Sequence, residues 1–411
     1  MKHQLIPPFM LSGLSMTLKA GGLLAFLIII GRFLPLEDFG LISFYLSIGT
    51  ISSLLVDYGF QLKLVKDIAA ETEKTSVLFM KSLSTKVAIS GSILAIGLVV
   101  LLTNAVPADE QVIAGALVSA LIIWSFQNHF AIPFRANQFY GRECILFCLC
   151  EIGMLAAILM YFFISKDPTP LGASITFLLA RVMGLGLSGF LYGRYFQWPW
   201  PSHSVVTNLK TDFSYFLHFA IGTLYVVIDT PLIRILADEK FVGPYQIAMR
   251  AVLAMTLPTV LCNTILLPRL SAAFQKHGHQ AVKPYREIRG FIILGIVAAT
   301  SSYLIWPAIM HFGLISYSEL INPLILPFSA VIVLRYWGSV YGTLLTVSKR
   351  QKWRVYSLAL TLVFILIGDF TFIPVFGWQA AAWVQVGGHI LLLGLYILFT
   401  KREFGSLYLW K

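Results

Sequence analysis

Twelve apolar segments recur along the 411 residues, at about 9–33, 39–62, 82–103, 111–133, 144–164, 171–193, 212–236, 242–266, 290–313, 320–347, 354–374 and 378–400. Each is long enough to cross the ~30 Å hydrocarbon core of a bilayer as a helix. In lipid every backbone N–H and C=O must find its partner within the chain, so only helices or a closed barrel can span. Barrel strands alternate apolar and polar residues with period two. Stretches such as "LLAFLIII" and "GSILAIGLVVLL" do not alternate, so an all-α membrane protein with twelve transmembrane helices is expected. Composition excludes a soluble domain, with 12% charged residues and a mean hydropathy of +0.80 against the usual ~25% charged. The first segment opens like a secretory signal. Its apolar run continues to Phe33 with no small-residue cleavage site, which marks it as the first span.

Cations set the orientation, because cytoplasmic loops hold the excess of Lys and Arg. With the amino terminus inside, 22 of the 30 cations fall in cytoplasmic segments or at the span ends that border them. Arg32, Lys166, Arg234 and Lys240 fall in outer loops, and Lys19, Arg181, Arg250 and Arg335 fall within spans. Both termini are therefore expected in the cytoplasm. The formal charge of +11 reflects this bias, not a nucleic-acid partner.

A repeat runs through the chain. "RFLPLEDF" and "RILADEKF" both fit Arg-x-Leu-x-x-Glu-x-Phe, with Arg32, Leu34, Glu37 and Phe39 echoed by Arg234, Leu236, Glu239 and Phe241. Six spans separate the copies, so two six-helix lobes insert with the same orientation, as a parallel pseudo-twofold repeat. The expected lobes are 1–196 and 212–411, joined by a cytoplasmic linker at 197–211. The inner loop from Pro268 to Arg289 is the other long connection. The Arg–Glu pairs are expected chiefly to pin the turns between helices.

Ionisable residues in mid-span point to function, since each costs ~2.5–3.5 kcal/mol even on insertion scales. Lys19, Arg181 and Arg335 lie near the midplane, each in a stripe of small or polar residues at helical spacing. Span one aligns Ser12, Ser15, Lys19 and Gly22; span six Ser174, Arg181, Gly184 and Ser188; span ten Arg335, Gly338, Ser339, Gly342 and Thr346. Such stripes face water or a close helix. Acids also enter spans: Asp57, Glu151, Asp229 and Asp369. Asp57 and Asp369 are placed near span ends, within reach of headgroups and water, while Asp229 and Arg250 lie at similar depth and can neutralise each other. What remains, Lys19, Arg181 and Arg335 against Glu151, predicts a cationic cavity; Arg250 is a further substrate-binding candidate, and Asp57, Glu151 and Asp229 are candidates for ion or proton coupling. Trp124, Tyr225 and Tyr336 are aromatic candidates for stacking on a ligand, with core packing the alternative.

Other features carry no chemistry. "GLGLSG" (Gly184–Gly189) matches a dinucleotide fingerprint but follows no strand. No phosphate-binding loop occurs, His129, His218 and His389 stand alone, and Cys144, Cys148, Cys150 and Cys262 fit no zinc spacing. No cofactor or metal is expected.

"GRFLPLEDFG" after span one, "LLVDYGF" ending span two and "VGPYQIAMR" opening span eight, with twelve spans in two halves, resemble the O-antigen unit flippases. These are the Wzx-type transporters of the multidrug/oligosaccharidyl-lipid/polysaccharide (MOP) exporter superfamily. The resemblance implies a carrier of undecaprenyl-diphosphate-linked oligosaccharide from the cytoplasmic to the periplasmic leaflet of the bacterial inner membrane, by alternating access. It aligns Arg250, in Tyr245-x-x-Ala248-x-Arg250, with a basic position of the family and Asp57 with an acidic one. Expected partners are membrane lipid, the O-antigen polymerase and the chain-length regulator. The alternatives are a multidrug cation antiporter of the same superfamily and, further off, a membrane O-antigen polymerase or ligase. The stretch 124–142 matches loosely, which leaves Gln127 and Arg135 without an assigned role.

Overall fold

The computed structural model describes residues 8–103, 105–199, 205–263, 266, 270, 285–311, 317–348 and 350–404. Most of the inner loop expected at 268–289, the middle of the expected linker (200–204) and residues 1–7 and 405–411 lie outside the described residues. Among the described residues there is no strand. Fourteen α-helices follow in order: α1 Pro8–Phe33, α2 Leu36–Asp57, α3 Phe60–Ala70, α4 Thr75–Leu102, α5 Gln111–Ala136, α6 Tyr140–Ile164, α7 Pro170–Tyr195, α8 Val205–Val227, α9 Asp229–Leu236, α10 Val242–Met255, α11 Tyr285–His311, α12 Ser318–Val347, α13 Gln351–Phe376 and α14 Ala380–Phe404. Eleven described helices are long and apolar enough to cross a membrane, and the bent pair Tyr215–Val227 and Asp229–Leu236 makes a twelfth crossing with a 43° turn. The chain is an all-α membrane protein with twelve spans in two lobes.

The repeated motif marks where one helix ends and the next begins. Arg32 occupies the last turn of α1, while Glu37 and Asp38 occupy the first turn of α2. Arg234 and Glu239 hold the same positions around the α9–α10 turn. A cation at a helix C-terminus and acids at the next N-terminus both complement the helix dipole. Pro35 immediately precedes α2, where its fixed φ and missing N–H carry no penalty. In the second copy Asp238 accepts the backbone N–H of Lys240 at 3.2 Å and pairs with its ammonium at 3.0 Å. The Lys240 ammonium, with the backbone N–H as a smaller contribution, holds the Asp238 carboxyl below its ordinary range. Arg234 and Glu239 form an ion pair at 3.1 Å, whereas among the described residues Arg32 and Glu37 do not pair. A half-exposed pair is worth about 0–1 kcal/mol. The motif is therefore read as a helix-end signal, with the aromatic as its anchor: Phe39 is buried beneath Gly31, and Phe241 stacks on Trp378 at 5.0 Å.

The described chain forms two compact units, 1–227 and 228–411. Helix α8 keeps company with the first unit through four contacts to α2, α3 and α4. Asp212 pairs with Lys63, Asn208 Nδ2 donates to Thr85 at 2.9 Å, Tyr58 donates to the Leu209 carbonyl at 3.1 Å, and Phe216 stacks on Tyr58 at 4.6 Å. The α2–α3 junction makes this seat possible. Tyr58 and Gly59 both adopt positive φ, 42° and 72°, and Gly59 lies directly against the Tyr215 backbone. A Cβ at Gly59 would stand 2.6 Å from the Tyr215 carbonyl carbon. Gly59→Ala is expected to cost at least ~1–2 kcal/mol from the left-handed backbone alone, read as a lower melting temperature in detergent.

Packing in the first unit centres on an aromatic layer where α3, α4, α5 and α7 meet, around Phe79, Phe130 and Tyr192. Phe79 and Tyr192 stack at 4.3 Å. This layer fixes α5 against α4 and α7, and α5 carries the polar groups described next.

Candidate functional site

Two ion pairs buried on both sides and a third with a buried carboxylate thread the first unit, and each involves a residue of α5. Asp57 is the last residue of α2, where the negative end of the dipole makes a carboxylate unfavourable. Lys86 compensates at 2.5 Å, and the Ser125 hydroxyl donates to the same oxygen at 2.6 Å. The Lys86 ammonium also donates to the Ser125 carbonyl at 3.0 Å, and His129 meets Ser82 at 3.0 Å one turn away. Lys86 is fully buried and Asp57 nearly so. The expectation that water and headgroups reach Asp57 is thus corrected: it stands at a helix end, but packing by α4 and α5 encloses it. Lys86, counted from position among the cytoplasmic cations, is its partner.

Arg181 on α7 is 1% exposed and makes a two-pronged pair with Glu151 of α6, at 2.8 and 3.1 Å. Trp124 Nε1 donates to Glu151 at 3.0 Å, and Gln127 Nε2 donates to the Arg181 carbonyl at 2.7 Å. The small residues of the stripes are the seats of this network. A Cβ at Gly22 would fall 2.2 Å from Glu151 Oε2, and one at Gly184 the same distance from Gln127 Nε2. Gln127 therefore belongs to the network although its segment gave no motif. Arg135 pairs with Glu143, Nε to Oε1 at 2.9 Å, and Glu143 is fully buried.

Lys19 differs from all of these. Its ammonium lies over the Trp124 ring, 5.4 Å from the centroid, and no carboxylate among the described residues forms a salt bridge with it. The ring face supplies about 0.5–2 kcal/mol of cation–π attraction, but no counter-charge. Trp124 thus joins the two groups, its N–H held by Glu151 and its face carrying Lys19. Both side chains are half-buried.

The second unit reverses the pattern. Asp229, first residue of α9, is fully buried and accepts hydrogen bonds from the Tyr245 hydroxyl and from Gln385 Nε2 at 2.9 and 2.8 Å. Its expected neutralisation by Arg250 does not occur; Arg250 Nε meets Gln246 at 3.4 Å along its own helix. Asp369, expected near a span end within reach of water, is also fully buried, because α13 packs against α9 and α14 at that depth. Arg335 on α12 is half-buried with Nη1 lacking a hydrogen-bond partner among the described residues. Tyr336 is core, with its hydroxyl donating to the Met255 carbonyl at 2.9 Å, and Tyr225 is likewise buried. Neither offers a ring face to a sugar. Among the described residues no cluster of three His, Cys, Asp or Glu could hold a metal.

Comparison with known proteins agrees with this architecture. Residues 10–274 match the family described as "Polysaccharide biosynthesis protein". No curated protein matches the chain. Among solved structures, the inward-facing conformation of a multidrug-resistance MATE transporter of the MOP superfamily is 16% identical, covers 97% of this chain and 95% of its own, and superposes with a TM-score of 0.65. The outward-facing conformation gives 14%, 97%, 94% and 0.61. A MOP-superfamily transporter from Pyrococcus furiosus, described by the reverse polarity of its binding pocket, gives 15%, 97%, 95% and 0.61. These likenesses establish the fold of the MOP superfamily. The family match spans well over half of the sequence, and the chain belongs to the polysaccharide biosynthesis protein family.

Proposed function

We propose that this protein carries undecaprenyl-diphosphate-linked O-antigen units from the cytoplasmic to the periplasmic leaflet of the bacterial inner membrane, by alternating access. The observation that carries this reading is Lys19, a cation held among the spans with no salt bridge among the described residues, within a polysaccharide-biosynthesis fold. The neighbouring buried cations Arg181 and Lys86 are matched by carboxylates, while Lys19 lies over a ring face and forms no salt bridge among the described residues. A lysine so placed can receive a diphosphate oxygen through charge-assisted hydrogen bonds. Arg335 is the corresponding group of the second unit, with a donor that has no partner among the described residues. Arg181 then acts from behind, fixing Glu151 and through it Trp124. The polyprenyl tail needs no protein charge and stays in lipid.

Direction follows from electrostatics. With a negative interior, outward movement of an anion is downhill by ~2.3 kcal/mol per charge per 100 mV. Collapsing the potential with valinomycin and external potassium is therefore expected to slow export, as followed by pulse-labelled surface O-antigen. The deciding experiment is deletion of the gene followed by lipopolysaccharide gels and leaflet-resolved labelling of lipid-linked units. Flipping predicts units trapped on the inner leaflet and restored export on complementation. Units accumulating on the outer leaflet would identify a polymerase or ligase instead. The buried acids of the second unit favour one rival, a multidrug cation antiporter. Dye efflux that rises with expression while O-antigen is unaffected would establish it.

A further inference from the structure

We propose that the start of α13 and the end of α14 together bind the headgroup of an anionic phospholipid, on the face that the cation asymmetry assigns to the cytoplasm. The site lies wholly within the second unit and does not depend on the identity of the cargo.

The sequence gathers charge here. "KRQKWR" at 349–354 leads into α13 and "KRE" at 401–403 closes α14, six cations against the single acid Glu403. Trp353 stacks on Phe399 with ring centroids 4.5 Å apart, which brings the two helix ends together. Trp353 and Tyr356 meet edge to face at 6.0 Å, and the Arg402 guanidinium lies over Phe399, 5.9 Å from its centroid. The result is an aromatic shelf edged by positive charge. Lys352, Lys401 and Arg402 are exposed, and Trp353 and Tyr356 remain 37% and 58% exposed. Arg354, next in sequence to Trp353, is half-buried against Gly342 of α12, with Nη1 donating to Thr346 Oγ1 at 3.3 Å. Its Nε has no hydrogen-bond partner among the described residues. Gly342 and Thr346, which share a stripe with Arg335 along α12, thus also seat Arg354.

Local structure does not account for this charge. Lys401 and Arg402 in the last turn of α14 complement its dipole, but α13 has no acid in its first turn. Lys352 and Arg354 stand there instead, at the positive end of the helix, where the dipole opposes a cation. In the first unit Lys63, Lys74 and Arg135 are each paired with an acid. Lys352, Arg354, Lys401 and Arg402 form no salt bridge among the described residues. An external anion supplies the missing charge. A phospholipid fits it better than a soluble anion does. Aromatic rings with one wet edge settle at headgroup depth, so the shelf sets the level at which a phosphate arrives. From Tyr356 an exposed apolar stripe continues along α13 through Leu360, Val363 and Ile367, where an acyl chain can lie. Ammonium and guanidinium groups then donate to the phosphate oxygens through charge-assisted hydrogen bonds. A soluble phosphate would use the charge but neither the shelf nor the stripe.

The test is native mass spectrometry of the purified full chain in detergent, titrated with dioleoyl-phosphatidylglycerol or dioleoyl-phosphatidylcholine. Wild-type protein is expected to bind a first phosphatidylglycerol clearly more tightly than phosphatidylcholine. A cation near an anionic headgroup contributes on the order of fivefold. The triple variant Lys352→Gln/Lys401→Gln/Arg402→Gln is therefore expected to lose roughly a hundredfold in phosphatidylglycerol affinity and little in phosphatidylcholine. Lys66→Gln/Arg194→Gln, which removes two exposed cations of the first unit, is expected to keep the wild-type selectivity. Equal binding of the two lipids by the wild type, selectivity retained in the triple variant, or the same loss in Lys66→Gln/Arg194→Gln would each overturn the site. If the triple variant does not fold, the wild-type comparison and Lys352→Gln alone, expected to lose about fivefold, still decide. Undecaprenyl diphosphate at equal concentration is expected to leave the bound phosphatidylglycerol in place. Its displacement would give these cations to the cargo headgroup and overturn the phospholipid assignment.

Discussion

Arg181→Met is expected to destabilise the first unit by about 3–5 kcal/mol, because it leaves Glu151 buried without its counter-charge. Glu151 is 2% exposed and Arg181 1%, so neither can recover solvation by turning outward. The Trp124 N–H would remain on Glu151 but supplies a neutral donor where a guanidinium stood. The double variant Arg181→Met/Glu151→Leu removes both charges together, and replacement of a buried pair by apolar side chains is often neutral or stabilising. Its melting temperature in detergent is therefore expected to return to, or exceed, that of the wild type. The same double variant separates structure from transport. If Arg181 only positions Glu151 and Trp124, the protein folds and surface O-antigen persists, which is the outcome expected. A well-folded double variant without export would place Arg181 among the groups that meet the cargo.

What the sequence displays well is whatever obeys one-dimensional rules. Span length and the absence of period-two alternation suffice for twelve helices. The helix-end motif is legible because dipole complementarity is local, with Arg32 before Pro35 and Glu37 after it. Mid-span charges are equally visible, and Lys19, Arg181 and Arg335 stand out on depth alone. Which acid answers which cation is not local. Arg181 and Glu151 are thirty residues apart on different helices, and Lys86 finds Asp57 across twenty-nine. Lys86 escapes notice because it lies one turn inside its span, where position alone resembles a loop. Its signal was available in another form: Asp57 closes an apolar helix at the wrong end of the dipole and demands a cation. Asp369 escapes for a related reason. Distance along a span measures depth in lipid, but exposure depends on which helices cover that depth, and α9 and α14 cover it. The loosely matched stretch at 124–142 holds the groups that organise unit one, Trp124, Ser125, Gln127 and Arg135, because networks conserve partners in space and leave little pattern in the chain.

Lys19→Ala is expected to behave in the opposite way to Arg181→Met. No buried acid loses its counter-charge, so stability should be unchanged or slightly raised, the loss being one cation–π contact of about 0.5–2 kcal/mol against relief of a half-buried charge. Export should fail. A charge-assisted hydrogen bond to a phosphate oxygen contributes about 1.5–3 kcal/mol, roughly ten- to a hundredfold in cargo binding, and surface O-antigen should fall accordingly at matched expression. Arg335→Ala is expected to give the same phenotype from the second unit, since its guanidinium carries a donor without a partner among the described residues. Arg335→Lys should restore export only in part, because an ammonium supplies the charge without the planar fork that suits phosphate. Lipid-linked units should accumulate on the inner leaflet in both alanine variants, with insertion checked by protease accessibility. Wild-type O-antigen in Lys19→Ala and Arg335→Ala together, with normal melting, would remove unpaired positive charge as the feature that receives the cargo. The route would then have to be built from neutral donors such as Gln127 and Trp124.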